Sequence, residues 1–145
     1  MGLADTYVLA YYNPLWLNPV TGDITSPAGI RYNPVLGRRE FHDGIDIAVP
    51  IGTPVIAPRP GTVAAVGYSQ SFGHFLRLYH GDGYVTFYAH LSRVPLRIGD
   101  TVYQGKRVAY SGNTGLSTGP HLHFGIFRHG QFVDPINYVD LPLRS

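Results

Sequence analysis

The chain has 145 residues, a length that suits a single domain, and 44% of them are apolar, as in an ordinary globular protein. The formal charge is only +2 and the Arg residues are scattered, so the clustered basic face that binds nucleic acid is not expected. There is no cysteine, which excludes disulfides and thiol chemistry, and no apolar run reaches the ~20 residues that insert into a membrane.

The first part of the chain, residues 1–40, is predicted to be an irregular lead-in. Asn-Pro turn signals recur in it, at Asn13, Asn18 and Asn33. Trp16 lies between them and suggests that the segment packs on the domain rather than extending into solvent. We assign residues 1–25 to a packed lead-in and residues 26–145 to the functional domain.

Beyond residue 40, short runs rich in β-branched and aromatic residues are separated by Gly and Pro, which is typical of strands joined by turns. The predicted strands are Pro54–Ala57, Thr62–Tyr68, Phe75–Tyr79, Tyr84–His90, Arg107–Tyr110 and His121–Phe127. Turns are predicted at residues 81–83, 99–100 and 129–130. No window has a long apolar period of 3.6, so any helix is short. The predicted fold class is all-β, mainly antiparallel sheet.

Two histidines, His121 and His123, form an H-x-H pattern inside the last predicted strand. Side chains two apart in a strand project to the same face, so both imidazoles point one way. Such a pair supplies nitrogen ligands that zinc favours. In isolation the pattern is more often two histidines that hydrogen-bond within a polar sheet face.

A second signal is the pair His42 and Asp46, four residues apart. Combined with the H-x-H pattern, it offers two His and one carboxylate, a ligand set that leaves a fourth zinc position for water. Zinc can ionise such a water near neutral pH. Asp43 is a competing carboxylate, and spacing does not decide between the two.

The source of a catalytic base is narrowed by the scarcity of Glu, since Glu40 is the only one in the chain. A helical H-E-x-x-H site is therefore excluded. Histidine suits the role because its pKa lies near neutrality. The candidates are His90, at the end of a predicted strand, and the member of the H-x-H pair that does not bind metal.

Four blocks of sequence carry a family resemblance, and their order adds to its specificity. They are Phe-His-Asp-Gly-Ile-Asp-Ile (41–47), Gly-Thr-Pro-Val-Ile-Ala (52–57), Tyr-Ala-His-Leu (88–91) and Gly-Asn-Thr-Gly-Leu-Ser-Thr-Gly-Pro-His-Leu-His-Phe (112–124). From Ser26 to Asn137 the chain resembles the lysostaphin/LytM family of zinc peptidoglycan endopeptidases.

The resemblance implies a role for each of five residues. It implies one zinc ion per chain, held by His42, Asp46 and His123, and it implies that His90 and His121 are catalytic. It also implies an antiparallel sheet with a groove over the metal, in agreement with the all-β pattern.

The function implied is a zinc metalloendopeptidase that cuts peptide cross-links or stem peptides of bacterial peptidoglycan. The expected partner is a peptidoglycan peptide, and the protein is expected to be a monomer. It is expected in the periplasm, at the cell wall or outside the cell, although no export signal is visible in the sequence.

Several features point to alternatives. Relatives that cut glycine bridges carry a Tyr upstream of the first His, and Tyr32 does not match its spacing convincingly, so Gly–Gly cleavage is not favoured over D-Ala–diaminopimelate cleavage. A catalytically silent module of the same fold would bind or activate other wall enzymes. A biotinyl-type carrier would need Lys106, the sole Lys, as its attachment point.

Smaller expectations concern residues outside the five-residue site. Arg31 could lie at the groove rim and meet a substrate carboxylate. Asn13, Asn18 or Asn33 could reach the metal in a latent form. The remaining histidines are expected to be structural or exposed, namely His74, His80 and His129.

Overall fold

The computed structural model describes residues 16–144. This part of the chain contains strands and one 3-10 helix but no α-helix, which confirms the all-β prediction. No helix within it is long and apolar enough to cross a membrane. The strands are β1 (Ile24–Ser26), β2 (Gly29–Asn33), β3 (Arg38–His42), β4 (Ile45–Ile47), β5 (Pro54–Ile56), β6 (Gly61–Ser69), β7 (Gly73–Gly81), β8 (Tyr84–Arg93), β9 (Thr101–Val102), β10 (Arg107–Ser111), β11 (Leu122–Arg128) and β12 (Gln131–Val133), and the 3-10 helix is Pro135–Asn137.

Ten of these strands form one antiparallel sheet, and β2 and β3 form a separate hairpin. The main path runs β1-β4-β11-β8-β7-β6-β9, with β12 paired to β11. Strand β8 is the longest, at ten residues, and its two ends have different partners. The first part pairs with β11, whereas its last residues pair with β10, which also pairs with β5. The centre of the sheet is thus β4, β11 and β8.

The two faces of these central strands carry different chemistry. Residues directly opposite each other in an antiparallel pair share a face, and Phe124 is opposite both Ile45 and Tyr88. All three are fully buried in the hydrophobic core. The next residues along, Asp46 and His123, are opposite each other and lie on the other face. One face therefore builds the core and the other presents polar side chains.

The six strands predicted beyond residue 40 correspond to β5, β6, β7, β8, β10 and β11, with ends that differ by at most three residues. The predicted turn at residues 81–83 joins β7 to β8 as a hairpin, with Asp82 at φ 52°. Turns also occur at residue 99 and at residues 129–130, as predicted.

The prediction of an irregular segment before residue 41 is wrong for its second half, where β1, β2 and most of β3 lie. The β2–β3 hairpin does not show the alternation of apolar and polar residues that predicts a strand. The positions on its inner face are polar, as at Arg31, whereas Ile30, Tyr32 and Phe41 are exposed. Trp16, only 6% exposed, packs on the domain as expected. Asn13 lies outside the described residues, and the boundary at residue 25 stays a prediction.

A buried polar chain crosses the core from His80. The His80 Nδ1–H donates to the Pro60 carbonyl at 2.8 Å, and Nε2 accepts from the Thr86 hydroxyl at 2.7 Å. The Tyr88 hydroxyl lies 2.6 Å from Thr86 Oγ1, and burial raises the pKa of Tyr88 above its ordinary value. His80 is structural, as expected. The neutral form of its imidazole, with the proton on Nδ1, fits this series of hydrogen bonds.

Replacing His80 by Gln is expected to make the fold less sensitive to acid. Burial lowers the pKa of His80 below 6.5, although the Pro60 carbonyl opposes the shift. Below pH 6.5 the unfolded chain therefore binds a proton that the folded chain refuses, and stability falls as pH falls, by at most about 1.4 kcal/mol per pH unit.

Urea unfolding of wild type and H80Q at pH 7.5, 6.0 and 5.0 measures this slope. The difference in unfolding free energy between the two proteins should shrink or reverse towards pH 5.0. An unchanged difference across the series would show that His80 does not carry the acid sensitivity.

Candidate active site

Three strands bring together two imidazoles and one carboxylate. His42 is the last residue of β3, Asp46 is in the middle of β4, and His123 is in β11. The antiparallel register places His123 directly opposite Asp46. His42 and His123 are 5% and 6% exposed, so both rings are held by packing.

The facing atoms of these residues form a nearly equilateral triangle. His42 Nε2 is 3.1 Å from His123 Nδ1, and Asp46 Oδ1 is 3.2 Å from each of these nitrogens. Ligands bound tetrahedrally to zinc at about 2.0–2.1 Å are separated by roughly 3.3 Å. The triangle therefore has the size of one face of a zinc coordination shell.

The surroundings of this triangle set the tautomer of His42 and the ionisation of Asp46. The His42 Nδ1–H donates to the Pro27 carbonyl at 3.0 Å, so in the neutral ring Nε2 presents a lone pair. Burial alone would raise the pKa of Asp46, but its contacts with the His123 and His42 imidazoles outweigh burial and hold the pKa far below its ordinary value. Two imidazole nitrogens and an ionised carboxylate thus face one another, the donor set of a metal site.

The other ring nitrogen of His123 supports this interpretation. Nε2 is buried and has no hydrogen-bond partner. If Nδ1 binds a metal, Nε2 carries the proton, and the nearest carboxylate oxygen, Asp43 Oδ1, lies 3.7 Å away. Acidic groups commonly stand behind metal-binding imidazoles in this way. Asp46 thus faces both imidazole nitrogens of the triangle, whereas Asp43 lies behind the His123 ring.

Gly44 makes room for the His123 ring. A Cβ added at residue 44 would lie 2.7 Å from His123 Cε1 and 2.7 Å from the Phe124 carbonyl oxygen. The backbone of Phe124 cannot retreat because it is paired with β4. A side chain at this position would therefore push directly on the His123 ring, a member of the triangle.

Gly44→Ala is expected to destabilise the protein by about 1–3 kcal/mol, the usual cost of overpacking, and to weaken metal binding. Gly119→Ala is the matched control, because an added Cβ there meets nothing within 4 Å. Thermal unfolding of the metal-free proteins and a competitive zinc titration measure the two effects. Equal behaviour of the two variants would contradict the packing argument.

His90 reaches the same face through a β-bulge. Regular alternation would put it in the core beside Tyr88, but β8 changes partner here and its register against β7 shifts between His74 and Leu76. His90 takes φ 60°, a conformation uncommon outside glycine. Bulges re-aim side chains next to active sites. The His90 ring consequently lies against His121, with ring centroids 4.9 Å apart.

Backbone carbonyls fix the tautomers of both remaining histidines. The His90 Nδ1–H donates to the Thr114 carbonyl at 2.7 Å, and the His121 Nδ1–H donates to the Gly119 carbonyl at 2.8 Å. In each neutral ring, Nε2 is then a bare acceptor. His121 Nε2 is 3.5 Å from Asp46 Oδ1. Burial lowers the pKa of His90 to about 4, so this ring is neutral at physiological pH.

All five predicted residues line one groove of about 660 Å³. One wall is the β2–β3 hairpin, and the other is the loop of residues 116–120 with Phe72 behind it. The groove is open to solvent and holds two acceptor imidazoles beside the three facing donor atoms of His42, Asp46 and His123. That arrangement can hold a metal ion and move a proton on a substrate next to it.

Comparison with known proteins identifies the family. A family model described as Peptidase family M23 matches residues 40–135, more than half of the chain. The chain belongs to peptidase family M23. The matched range includes all five predicted site residues, which are His42, Asp46, His90, His121 and His123.

Curated relatives of this M23 domain are bacterial. An uncharacterized metalloprotease of Haemophilus influenzae is 49% identical over 116 residues, which make up 79% of this chain and 24% of the relative. The peptidoglycan DD-endopeptidase ShyA of Vibrio cholerae is 38% identical over 115 residues, 79% of this chain and 26% of the relative. The chain thus spans about a quarter of the length of the curated relatives it matches.

Solved structures of peptidases also match this chain. A zinc-containing peptidase from Vibrio cholerae matches with a TM-score of 0.72 and 36% identity, over 86% of this chain and 40% of that chain. The catalytic domain of lysostaphin from Staphylococcus simulans matches with a TM-score of 0.66 and 34% identity, over 81% and 89% of the two chains. The resemblance to the lysostaphin/LytM family and the fold it implied are confirmed.

Other sequence-based expectations have different outcomes. Arg31 lines the groove, as expected, and its guanidinium also contacts Asp46. The Asn18 side-chain amide donates to the Asp140 carbonyl and accepts from the Asp140 N–H. The Asn33 side-chain oxygen accepts from the N–H groups of Val35 and Leu36. Neither amide therefore reaches the triangle of His42, Asp46 and His123. The M23 match favours a peptidase over the carrier interpretation of Lys106.

Sequence reasoning missed the groups that orient the site. The carbonyls of Pro27, Thr114 and Gly119 hold three of the four histidines. Backbone acceptors leave no residue-type signal, but two of them lie in the 112–124 block that resembles the family. Arg31 was expected at the groove rim but not in contact with Asp46, and Gly44 lies within the 41–47 block without a predicted role.

Proposed function

We propose that this M23 domain is a zinc metalloendopeptidase that hydrolyses peptide cross-links or stem peptides of bacterial peptidoglycan. The observation that carries the proposal is the triangle of His42 Nε2, His123 Nδ1 and Asp46 Oδ1, with two acceptor imidazoles in the same groove. The substrate class is supported by a relative named peptidoglycan DD-endopeptidase. The choice of zinc is supported by a similar zinc-containing peptidase.

The donor set favours zinc over the hard cations. His42 and His123 would each bind the metal through nitrogen and Asp46 through one oxygen, whereas Mg²⁺ and Ca²⁺ take oxygen ligands. When bound, zinc supplies Lewis acidity, which acidifies a water molecule and polarises a peptide carbonyl. The three side chains leave the side towards the groove open for substrate and water.

His121 and His90 would move the protons. One Nε2 accepts a proton from the attacking water as its oxygen bonds to the peptide carbonyl carbon. As the C–N bond breaks, an imidazolium gives a proton to the leaving nitrogen, so both rings end neutral. The products are one new carboxyl group and one new amino group. The low pKa of His90 keeps that ring able to accept at neutral pH.

The groove offers apolar surface on both walls for a bound peptide. It is lined on one side by exposed apolar side chains of the hairpin turn, Val35 and Leu36, and on the other by Leu116. Because the proposed substrate lies outside the cytoplasm, we infer that the domain acts there. The silent-module alternative is not favoured, since all five residues of the site are present.

Digestion of purified peptidoglycan, followed by mass spectrometry of the soluble fragments, tests the proposal. Cross-linked dimers should be converted to monomers with new carboxyl and amino ends, and chelation should stop the reaction. Comparing walls cross-linked through D-Ala–diaminopimelate with walls cross-linked through glycine bridges identifies the bond. No fragment from either wall, at full zinc occupancy, would contradict the proposal.

A further inference from the structure

Asp46 turns only one of its two carboxylate oxygens towards the imidazoles. Oδ1 is 3.2 Å from both His42 Nε2 and His123 Nδ1. The other oxygen, Oδ2, accepts a hydrogen bond from Arg31 Nη1 at 3.1 Å. The carboxylate is 13% exposed, so solvent has little access to either oxygen. Its orientation is therefore set between two histidines and one arginine.

The Arg31 guanidinium is itself fixed by the hairpin and by β1. Nη1 also donates to Ser26 Oγ at 2.6 Å, and Ser26 is paired with Asp46 in the sheet. Nη2 lies 3.9 Å from Glu40 Oε1, on the residue directly opposite Arg31 in the β2–β3 hairpin. Both contacts hold the guanidinium beside Oδ2.

We propose that Arg31 is a positioning residue, which holds Oδ2 so that Asp46 binds the metal through Oδ1 alone. The inference rests on the zinc site of the proposed function. A carboxylate can bind a cation through one oxygen or both. Binding through both would use coordination space that a hydrolytic zinc site keeps for water and substrate.

The charge of Arg31 indicates that this residue orients Asp46 and does not strengthen zinc binding. A positive charge beside a cation site opposes the binding of a dication. Arg31 therefore does not add to zinc affinity by its charge. What it does add is a directional hydrogen bond to one oxygen, the kind of outer contact that orients a metal ligand.

The test uses cobalt as the probe, because the visible spectrum of Co²⁺ responds to coordination number. In Arg31→Gln the carboxylate is free to bind through both oxygens, so the absorption per bound cobalt should fall by about two-fold or more as coordination rises. The kcat of the zinc form should fall about 10-fold with little change in KM. Arg31→Lys, which keeps a charged donor, should retain part of the wild-type spectrum.

Two further variants complete the design. Arg39→Gln is the matched control, since Arg39 is exposed on the same hairpin and its spectrum should remain that of wild type. Ser26→Ala removes one of the contacts that aim Arg31 and should shift the spectrum in the same direction by a smaller amount. Ser26→Ala therefore still tests the role of Arg31 if Arg31→Gln does not fold.

The outcomes separate the two proposals. A wild-type protein that binds no cobalt or zinc and cuts no wall fragment overturns the proposed function. A wild-type protein that binds and cuts, while Arg31→Gln and Ser26→Ala keep its cobalt spectrum, overturns only the role of Arg31. The spectrum decides this point whatever the activity of the variants, because a lost substrate contact would lower activity without changing the spectrum.

Discussion

His121→Ala is expected to lower kcat/KM on peptidoglycan peptides by about 10²–10⁴-fold while the protein still binds one zinc ion per chain. The reason is that His121 Nε2 is a bare acceptor beside the metal cluster, whereas the cluster itself uses other residues. Its Nδ1 is committed to the Gly119 carbonyl, so only Nε2 can take part. Initial rates of fragment release, with zinc measured in the same sample, test both halves of the prediction.

His74→Ala is the control for this variant. His74 is exposed and its ring lies against Tyr68, with centroids 4.9 Å apart, away from the groove lining. Its activity should stay within about two-fold of wild type, as for an ordinary surface substitution. If His121→Ala loses its zinc, the residue belongs to the metal shell and not to the proton-moving pair. If it keeps both zinc and rate, His121 has no role in the reaction.

Asp46→Asn is expected to weaken zinc binding by more than about 100-fold, the upper range for outer contacts of a metal site. The substitution keeps the shape of the side chain but removes the negative charge that faces His42 Nε2 and His123 Nδ1. Asp43→Asn removes the same charge from a carboxylate 3.7 Å from His123 Nε2. Its effect should be about 10-fold or less, because Asp43 is half exposed and lies behind the imidazole.

Competitive titration against a chromophoric chelator measures both affinities on one scale. The order of the two effects is the decisive quantity, since the variants differ only in which of two neighbouring carboxylates is neutralised. A larger loss in Asp43→Asn would mean that Asp43 enters the metal shell. Equal, small losses would mean that the histidines alone hold the ion.

The strands from β5 onward could be predicted from the sequence, because they are rich in β-branched and aromatic residues and because Gly and Pro mark their ends. The β2–β3 hairpin could not, because its inner-face positions are polar, as at Arg31 and Glu40, while Ile30 and Phe41 face outward. Apolar residues therefore do not mark the inner face of these two strands.

The chemistry of the site was visible as residue types in short patterns, and the family resemblance assigned a role to each. Neither source distinguishes the two ring nitrogens of a histidine. That choice depends on carbonyls contributed by distant turns, such as Pro27 for His42 and Thr114 for His90. The bulge that turns His90 into the groove is likewise a property of strand pairing, with no residue type of its own.

Titration of the metal-free protein with zinc, with fragment release from peptidoglycan followed at each step, tests the central claim most directly. We predict that release is absent without zinc, rises in proportion to added zinc and saturates at one ion per chain. Release that persists in the metal-free protein would contradict the account. So would one bound zinc per chain with no release from any wall.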